Sequence, residues 1–268
     1  MDRHLQYSRR RETSSSNKPW NFALLVILGV CLIAGEGSAD VDRKNPFNPG
    51  ERLTYSGKWG FISAGNVTLE VLPTETMAGI EAYHFAMTTK TNSVVDRLYK
   101  IRERQDSFVD LDTKHSVFYT KRTDSKHPSD IIIKFDWNRL EATRSDFGKE
   151  SPPIKIAPGS FDPLALFFIL RLQDLREDSV IEIPITDGKK NIMVKATVDK
   201  KELITINGHT YETFAITPDM ESLEKVVTKS KEPKLKIWLS ADRKRLPIRI
   251  RSSVGVVSFI FELESIEP

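Results

Sequence analysis

Cysteine is almost missing from this 268-residue chain: Cys31 is the only one, and it lies inside an N-terminal apolar run. Everything after it can form no disulfide and no thiolate metal site, so packing alone must hold the fold. Several chemical signatures are missing as well. There is no G-x-x-x-x-G-K-[ST] and no G-x-G-x-x-G, which leaves nucleotide use without a phosphate cradle. His84, His115, His127 and His209 form no H-x-H or H-E-x-x-H pair, and each reads as an ordinary surface or core histidine. No G-x-S-x-G elbow appears, so serine hydrolysis has no strained nucleophile behind it. No apolar stretch reaches the roughly 18 residues that argue for a membrane-spanning helix.

What the chain does have begins with an export leader. Arg3, Arg9, Arg10, Arg11 and Lys18 precede the uncharged run "FALLVILGVCLIA", Phe22 to Ala34, and small residues at Gly37 and Ala39 fit cleavage after Ala39. The alternative is an uncleaved inner-membrane anchor through Phe22 to Ala34. Lipidation at Cys31 is disfavoured because branched Val30 sits where such signals want a small residue. Residues 40–268 then form the periplasmic or secreted domain. Removing the leader's five basic and three acidic residues leaves 35 against 34, a charge near +1 with no broad nucleic-acid footprint.

Period-two alternation runs through this domain. In "LKIWLS", Leu235, Ile237 and Leu239 share a side; in "PIRIRSS", Ile248 and Ile250 oppose Arg249 and Arg251. Turn chemistry in "MAGIE", "TDGKK", "TINGHT" and "SADRKR" separates such segments. About a dozen strands at this spacing predict a mainly β fold, a large curved antiparallel sheet or half-barrel. It is read as one domain, with a division into two β subdomains near 150–160 as the alternative.

"GSFDPLALFFILRLQDL" breaks the pattern. Asp162 suits an N-cap, Pro163 the first helical position, and Leu164 to Leu172 is apolar apart from Arg171, which predicts a buried helix of about three turns. It is a core plug or a movable lid over a lipid-sized cavity. Asp219 to Lys234 is a charged connector, or a docking loop centred on Glu224 to Lys234. In "DRLYKIRERQDSF", alternation places Lys100, Arg102 and Arg104 on one side and Tyr99, Ile101 and Glu103 on the other. With Asp96 and Asp106 close by, a salt-laced face competes with an anion-binding stripe. Trp59, Phe61, Phe167, Phe168 and Trp238 are the candidate ligand-binding aromatics, with core packing as the competing reading. Gly57, Gly60 and Gly65 mark bends or bulges near the first two of them.

Four stretches in order, "NPFNPGERLTYSGKWGFISAGNVTLEV", "TNSVVDRLYKIRERQDSFVD", "FDPLALFFILR" and "IWLSADRKRLPIRI", resemble the motifs of an exported bacterial envelope family, domain-of-unknown-function family 3108 (DUF3108). That family brings no catalytic residues. The ending "KIWLSADRKRLPIRIRSSVGVVSFIFEL" is also similar to the closing hairpins of half-barrel periplasmic lipoprotein carriers. This likeness implies a sheet holding acyl chains on its concave face. The expectation is a non-catalytic binding or assembly factor that shields lipid or lipoprotein acyl chains, without cofactor or metal. The alternative is a structural or protein-interaction module of the envelope. An outer-membrane barrel is disfavoured, since charges punctuate the strands and no aromatic girdle emerges.

Overall fold

The computed structural model describes residues 45–219, 234–254 and 257–268. The leader with Cys31 lies outside the described residues, as does the candidate docking loop apart from Lys234. Fifteen strands follow one another: β1 (Arg52–Trp59), β2 (Ile62–Met77), β3 (Ile80–Thr91), β4 (Ile101–Asp110), β5 (Ser116–Ser125), β6 (Ser129–Asp136), β7 (Glu141–Asp146), β8 (Lys149–Glu150), β9 (Ile154–Lys155), β10 (Val180–Thr186), β11 (Asn191–Ile206), β12 (His209–Pro218), β13 (Lys234–Ser240), β14 (Pro247–Val254) and β15 (Val257–Glu267). Two short helices interrupt them, α1 (Ser93–Tyr99) and α2 (Leu166–Ile169).

The reversals follow from local chemistry. Ala78–Gly79, Phe147–Gly148 and Asn207–Gly208 each place both central residues at positive φ. That is the two-residue hairpin turn whose twist matches the flanking strands. All neighbours pair antiparallel, in the order β10-β11-β12-β13-β14-β15-β1-β2-β3-β4-β5-β6-β7-β8, with β9 also on β7. One sheet therefore runs through both halves of the chain. β1 and β15 meet in its middle, Trp59 opposite Phe259 and Arg52 opposite Glu267.

The sheet curves without closing into a ladder. Its two free edges are bridged by the connector after β8: Ile156 N–H donates to Leu140 O on one side, and Phe161 forms a parallel bridge to Ile185 on the other. Arg144 reaches over the same seam, Nη1 donating to Asp187 O at 2.8 Å.

The apolar segment enters the hollow as expected but is shorter than three turns. Only Leu166–Ile169 is α-helical, and Leu170–Leu172 continues as a 3₁₀ turn. Rather than the helix itself, whose N-cap is Ala165, the Asp162 carboxylate caps the turn that leads into it, accepting from Leu164 N and Ala165 N at 2.9 and 3.0 Å. Its other oxygen accepts from Ser107 Oγ and Ser116 Oγ, both at 2.6 Å. Burial pushes this carboxyl's pKa up, opposed by those donors. Phe168 stacks on Phe85 with centroids 3.9 Å apart, and Phe47 meets both rings edge-on. Arg171, the one charge in the run, is buried with full satisfaction. Its guanidinium donates to both Glu51 oxygens, to Pro46 O and to Lys244 O. Of the strand-face readings, Leu235, Ile237 and Leu239 are indeed buried together in the core.

A candidate apolar cleft at the mouth of the sheet

At the end of the hollow where β1 turns into β2, the wall loses its side chains. Gly57 and Gly65 are direct partners across the β1–β2 ladder, and a register shift follows Gly57. A Cβ on Gly57 would stand 3.1 Å from the Phe261 ring, and one on Gly65 2.1 Å from Lys90 O. Without side chains there, the Phe261 ring and the β3 backbone close in, and both glycines line a cleft of about 110 Å³ together with Leu69, Met87, Phe167, Trp59, Phe259 and Phe261. Trp59 and Phe259 stack with centroids 6.2 Å apart.

Helix α1 covers part of this opening, with Val95 and Tyr99 in the wall. It forms because Asn92 is an effective N-cap: Oδ1 accepts from Val94 N and Val95 N at 3.1 and 3.0 Å. The same residue ties the helix to the hairpin, Nδ2 donating to Ser63 O at 2.6 Å and its backbone N–H to Ala64 O at 3.0 Å. Asp96 then accepts from Arg102 through both carboxylate oxygens and from Thr91 Oγ1. The Arg102 and Thr91 hydrogen bonds hold the Asp96 pKa below the usual carboxylate value. At the other end Lys126 Nζ donates to Leu98 O at 3.0 Å.

The rim carries apolar side chains in water. Phe61 at the hairpin tip is 106% exposed, Ile62 52%, and on α1 Val94 and Leu98 are 61% and 62% exposed. Lys90 and Arg97 are exposed beside them. Among the described residues no helix is long and apolar enough to cross a membrane, and no group of His, Cys, Asp or Glu is placed to hold a metal ion.

The family model described as "Protein of unknown function (DUF3108)" matches residues 54–264. The chain belongs to the DUF3108 family. Its fold is shared with the beta-barrel-like protein of domain of unknown function DUF1849 from Brucella abortus, with a TM-score of 0.51 at 11% identity over 82% of this chain and 97% of that one. Lipoprotein LppX of Mycobacterium tuberculosis superposes more loosely, with a TM-score of 0.25 at 10% identity over 80% of this chain and 85% of that one. No curated protein matches the sequence.

Of the five aromatics singled out in this DUF3108 chain, Trp59 and Phe167 line the cleft, and Phe61 stands at its rim in solvent. The other two lie elsewhere. Phe168 is on the plug itself, turned into the core and stacked on Phe85. Trp238 points to the outer face, where Lys236, Arg249 and Arg251 lie over its ring at 5.3, 5.9 and 5.6 Å and its Nε1 donates to Glu202. It is 4% exposed beneath those cations, packed with the core and outside the cleft lining. Arg102 and Arg104 pair with Asp96, Asp106 and Glu70, which makes the basic stripe a salt-laced face. Tyr99 ends α1 instead of continuing the strand. The cleft residues Tyr55, Tyr99, Phe259 and Phe261 were not anticipated. Tyr55 had a usable signal, since it alternates in phase with Leu53 and Trp59 in "RLTYSGKW".

Proposed function

We propose that this DUF3108 protein is a non-catalytic envelope carrier or assembly factor that shields one acyl chain, of a lipid or a lipoprotein, from water. The observation that supports it most is the cleft itself: a hollow in a tightly packed sheet, walled mainly by carbon and open to solvent, with two paired glycines in its lining. Protein interiors are normally filled, so a lasting apolar hollow at a mouth favours a guest. Its size limits that guest. A space of about 110 Å³ takes the end of one chain, on the scale of cavities of about 150 Å³ that admit a single small apolar molecule. Each methylene shielded contributes about 0.8 kcal/mol, and no covalent step is needed.

Native mass spectrometry of the mature protein purified gently from its own periplasm, together with titration of a fluorescent acyl probe, tests this. Charging Phe167 or Phe168 would break the core, because both are 2% exposed or less. Val95→Trp is the better variant, as it fills the cleft from half-exposed α1. A lipid-sized adduct and probe binding that are both lost in Val95→Trp are the expected result; a clean mass and no probe binding to the native chain refute the reading.

A second reading is supported by the rim. Phe61, Ile62, Val94 and Leu98 form exposed apolar surface that an envelope protein could bury with the cleft left empty. In-cell crosslinking from position 61 that captures one stable protein, combined with a clean native mass, favours that module.

A further inference from the structure

Two hydroxyls in this mainly apolar cleft have nothing in the protein to bond. Tyr55 is 1% exposed and Thr89 7%, both line the cleft, and neither Tyr55 Oη nor Thr89 Oγ1 has a hydrogen-bond partner in the protein. The ladder register puts them on one level: Tyr55 pairs with Val67 on β2, and Val67 pairs with Thr89 on β3. One strand separates them, so their backbones stand about 10 Å apart.

The neighbouring polar groups show how consistently the same interior satisfies its other members. One strand further on, opposite Thr89, Glu103 accepts from Gln105 Nε2 at 2.6 Å and from Thr123 Oγ1 at 2.7 Å, and Lys121 Nζ stands 2.9 Å from it. Tyr119 Oη donates to Gln105 at 2.7 Å, and Asp162 accepts from four donors. Among the described residues only two other buried side-chain atoms, Glu182 Oε2 and Ser252 Oγ, lack a partner. A buried hydroxyl left unpaired costs free energy, and native folds leave few without a reason.

We propose that Tyr55 and Thr89 donate hydrogen bonds to a neutral oxygen acceptor, the carbonyl of an ester or amide, carried by the acyl ligand of this cleft. The inference rests on the carrier reading and narrows its ligand class. Burial of the Tyr55 phenol pushes its pKa up, so it remains a donor throughout the working pH range. A carboxylate is the poorer fit. No arginine lines the cleft, its one lysine, Lys90, is exposed, and the buried Arg171 whose charge reaches Tyr55 is already paired with Glu51, so a buried negative charge would lie without a free counter-charge.

The test compares methyl laurate with dodecane, an ester and a hydrocarbon of similar chain, on the mature native protein and on the double variant Tyr55→Phe, Thr89→Val. Displacement of a fluorescent acyl probe gives both affinities, and the ligand-free unfolding midpoint is measured alongside. Expected is a loss of about tenfold or more in methyl laurate affinity, no change for dodecane, and a midpoint that does not fall, because apolar isosteres replace groups already unpaired. Equal losses for both probes, or an unchanged methyl laurate affinity, overturn the inference while leaving the carrier standing. A lowered ligand-free midpoint overturns it too, by assigning the hydroxyls to the fold through bound water. Failure of the native protein to bind either probe refutes the carrier reading and this inference together.

Discussion

Alanine at Gly65 should be among the most damaging single-methyl changes in the domain. The residue sits at φ +145°, and an added Cβ would meet Lys90 O at 2.1 Å and Thr91 Cα at 2.7 Å. Both obstacles are β3 backbone, which β4 holds from the far side, Lys90 opposite Arg102. Neither can swing away as a side-chain tip would. Strained backbone at such an angle costs about 1–3 kcal/mol, and forced overpacking adds about 1–3 kcal/mol, so Gly65→Ala should destabilise by about 2–6 kcal/mol. Gly60 supplies the control. It lies five residues away at φ +58° with nothing within 4 Å of its Cβ position, so Gly60→Ala carries only the left-handed penalty of about 1–2 kcal/mol. Urea unfolding of both variants isolates the clash as the difference between them. If the two lose equal stability within about 0.5 kcal/mol, the close β2–β3 approach at the cleft wall is refuted, and with it the explanation for the missing side chains.

Three further outcomes are expected. Arg171→Ala should cost about 3–5 kcal/mol in urea unfolding, since it strands the Glu51 carboxylate and two backbone carbonyls in the interior; a loss under about 1 kcal/mol would refute that buried pairing. His84 lies on the outer face with Nδ1 2.8 Å from Glu75 and Nε2 2.9 Å from Asp106. Burial opposes its protonation, but those two carboxylates outweigh burial and raise its pKa, while burial of Asp106 is outweighed by His84 and Arg104, which bring Asp106 down to about 2. The histidine's contribution is thus complete below its unfolded pKa of about 6.5 and fades as pH rises through the raised folded value, whereas the Asp106 contribution is complete above about 4 and fades toward 2. His84→Gln should flatten the alkaline-side fall of a stability-versus-pH curve, and an unchanged slope there would count against the network. Phe61→Ser should leave the free energy of unfolding within about 0.5 kcal/mol of native, yet slow delivery of a fluorescent acyl probe from vesicles; a larger loss of stability would mean the tip is packed, contrary to its full exposure.

Much of the architecture was legible in the chain because alternation and turn chemistry are local. Leu235, Ile237 and Leu239 declare their side by spacing alone, and Asn207–Gly208 declares its turn. The plug was legible as buried but not in length. A segment surrounded on all sides by sheet is apolar whether or not its backbone is helical, so Pro163 to Leu172 offered no period to measure. Helix α1 was masked by the alternating residues after it, although Asn92 with Val95, Leu98 and Tyr99 has helical spacing. Trp238 is out of phase with Leu235, Ile237 and Leu239, so spacing alone put it on the other side of the sheet, but its burial there depends on cations that come partly from β14. The cleft itself lies where Gly57 pairs with Gly65, and a site assembled by pairing between strands leaves no local pattern.

The position of the β1–β15 ladder in the middle of the sheet bears on when this protein can fold. Lys58 and Glu262, bonded across it, are 204 positions apart, so the seam that joins the two halves is the longest loop closure in the structure and cannot form until the final strand is present. Until then β1 and β14 are both raw strand edges able to pair with the wrong chain. Contacts this remote in sequence form slowly. A chain that cannot complete its central ladder before β15 arrives keeps its two halves apart, with the core between them open to water, until the end of the fold is in place.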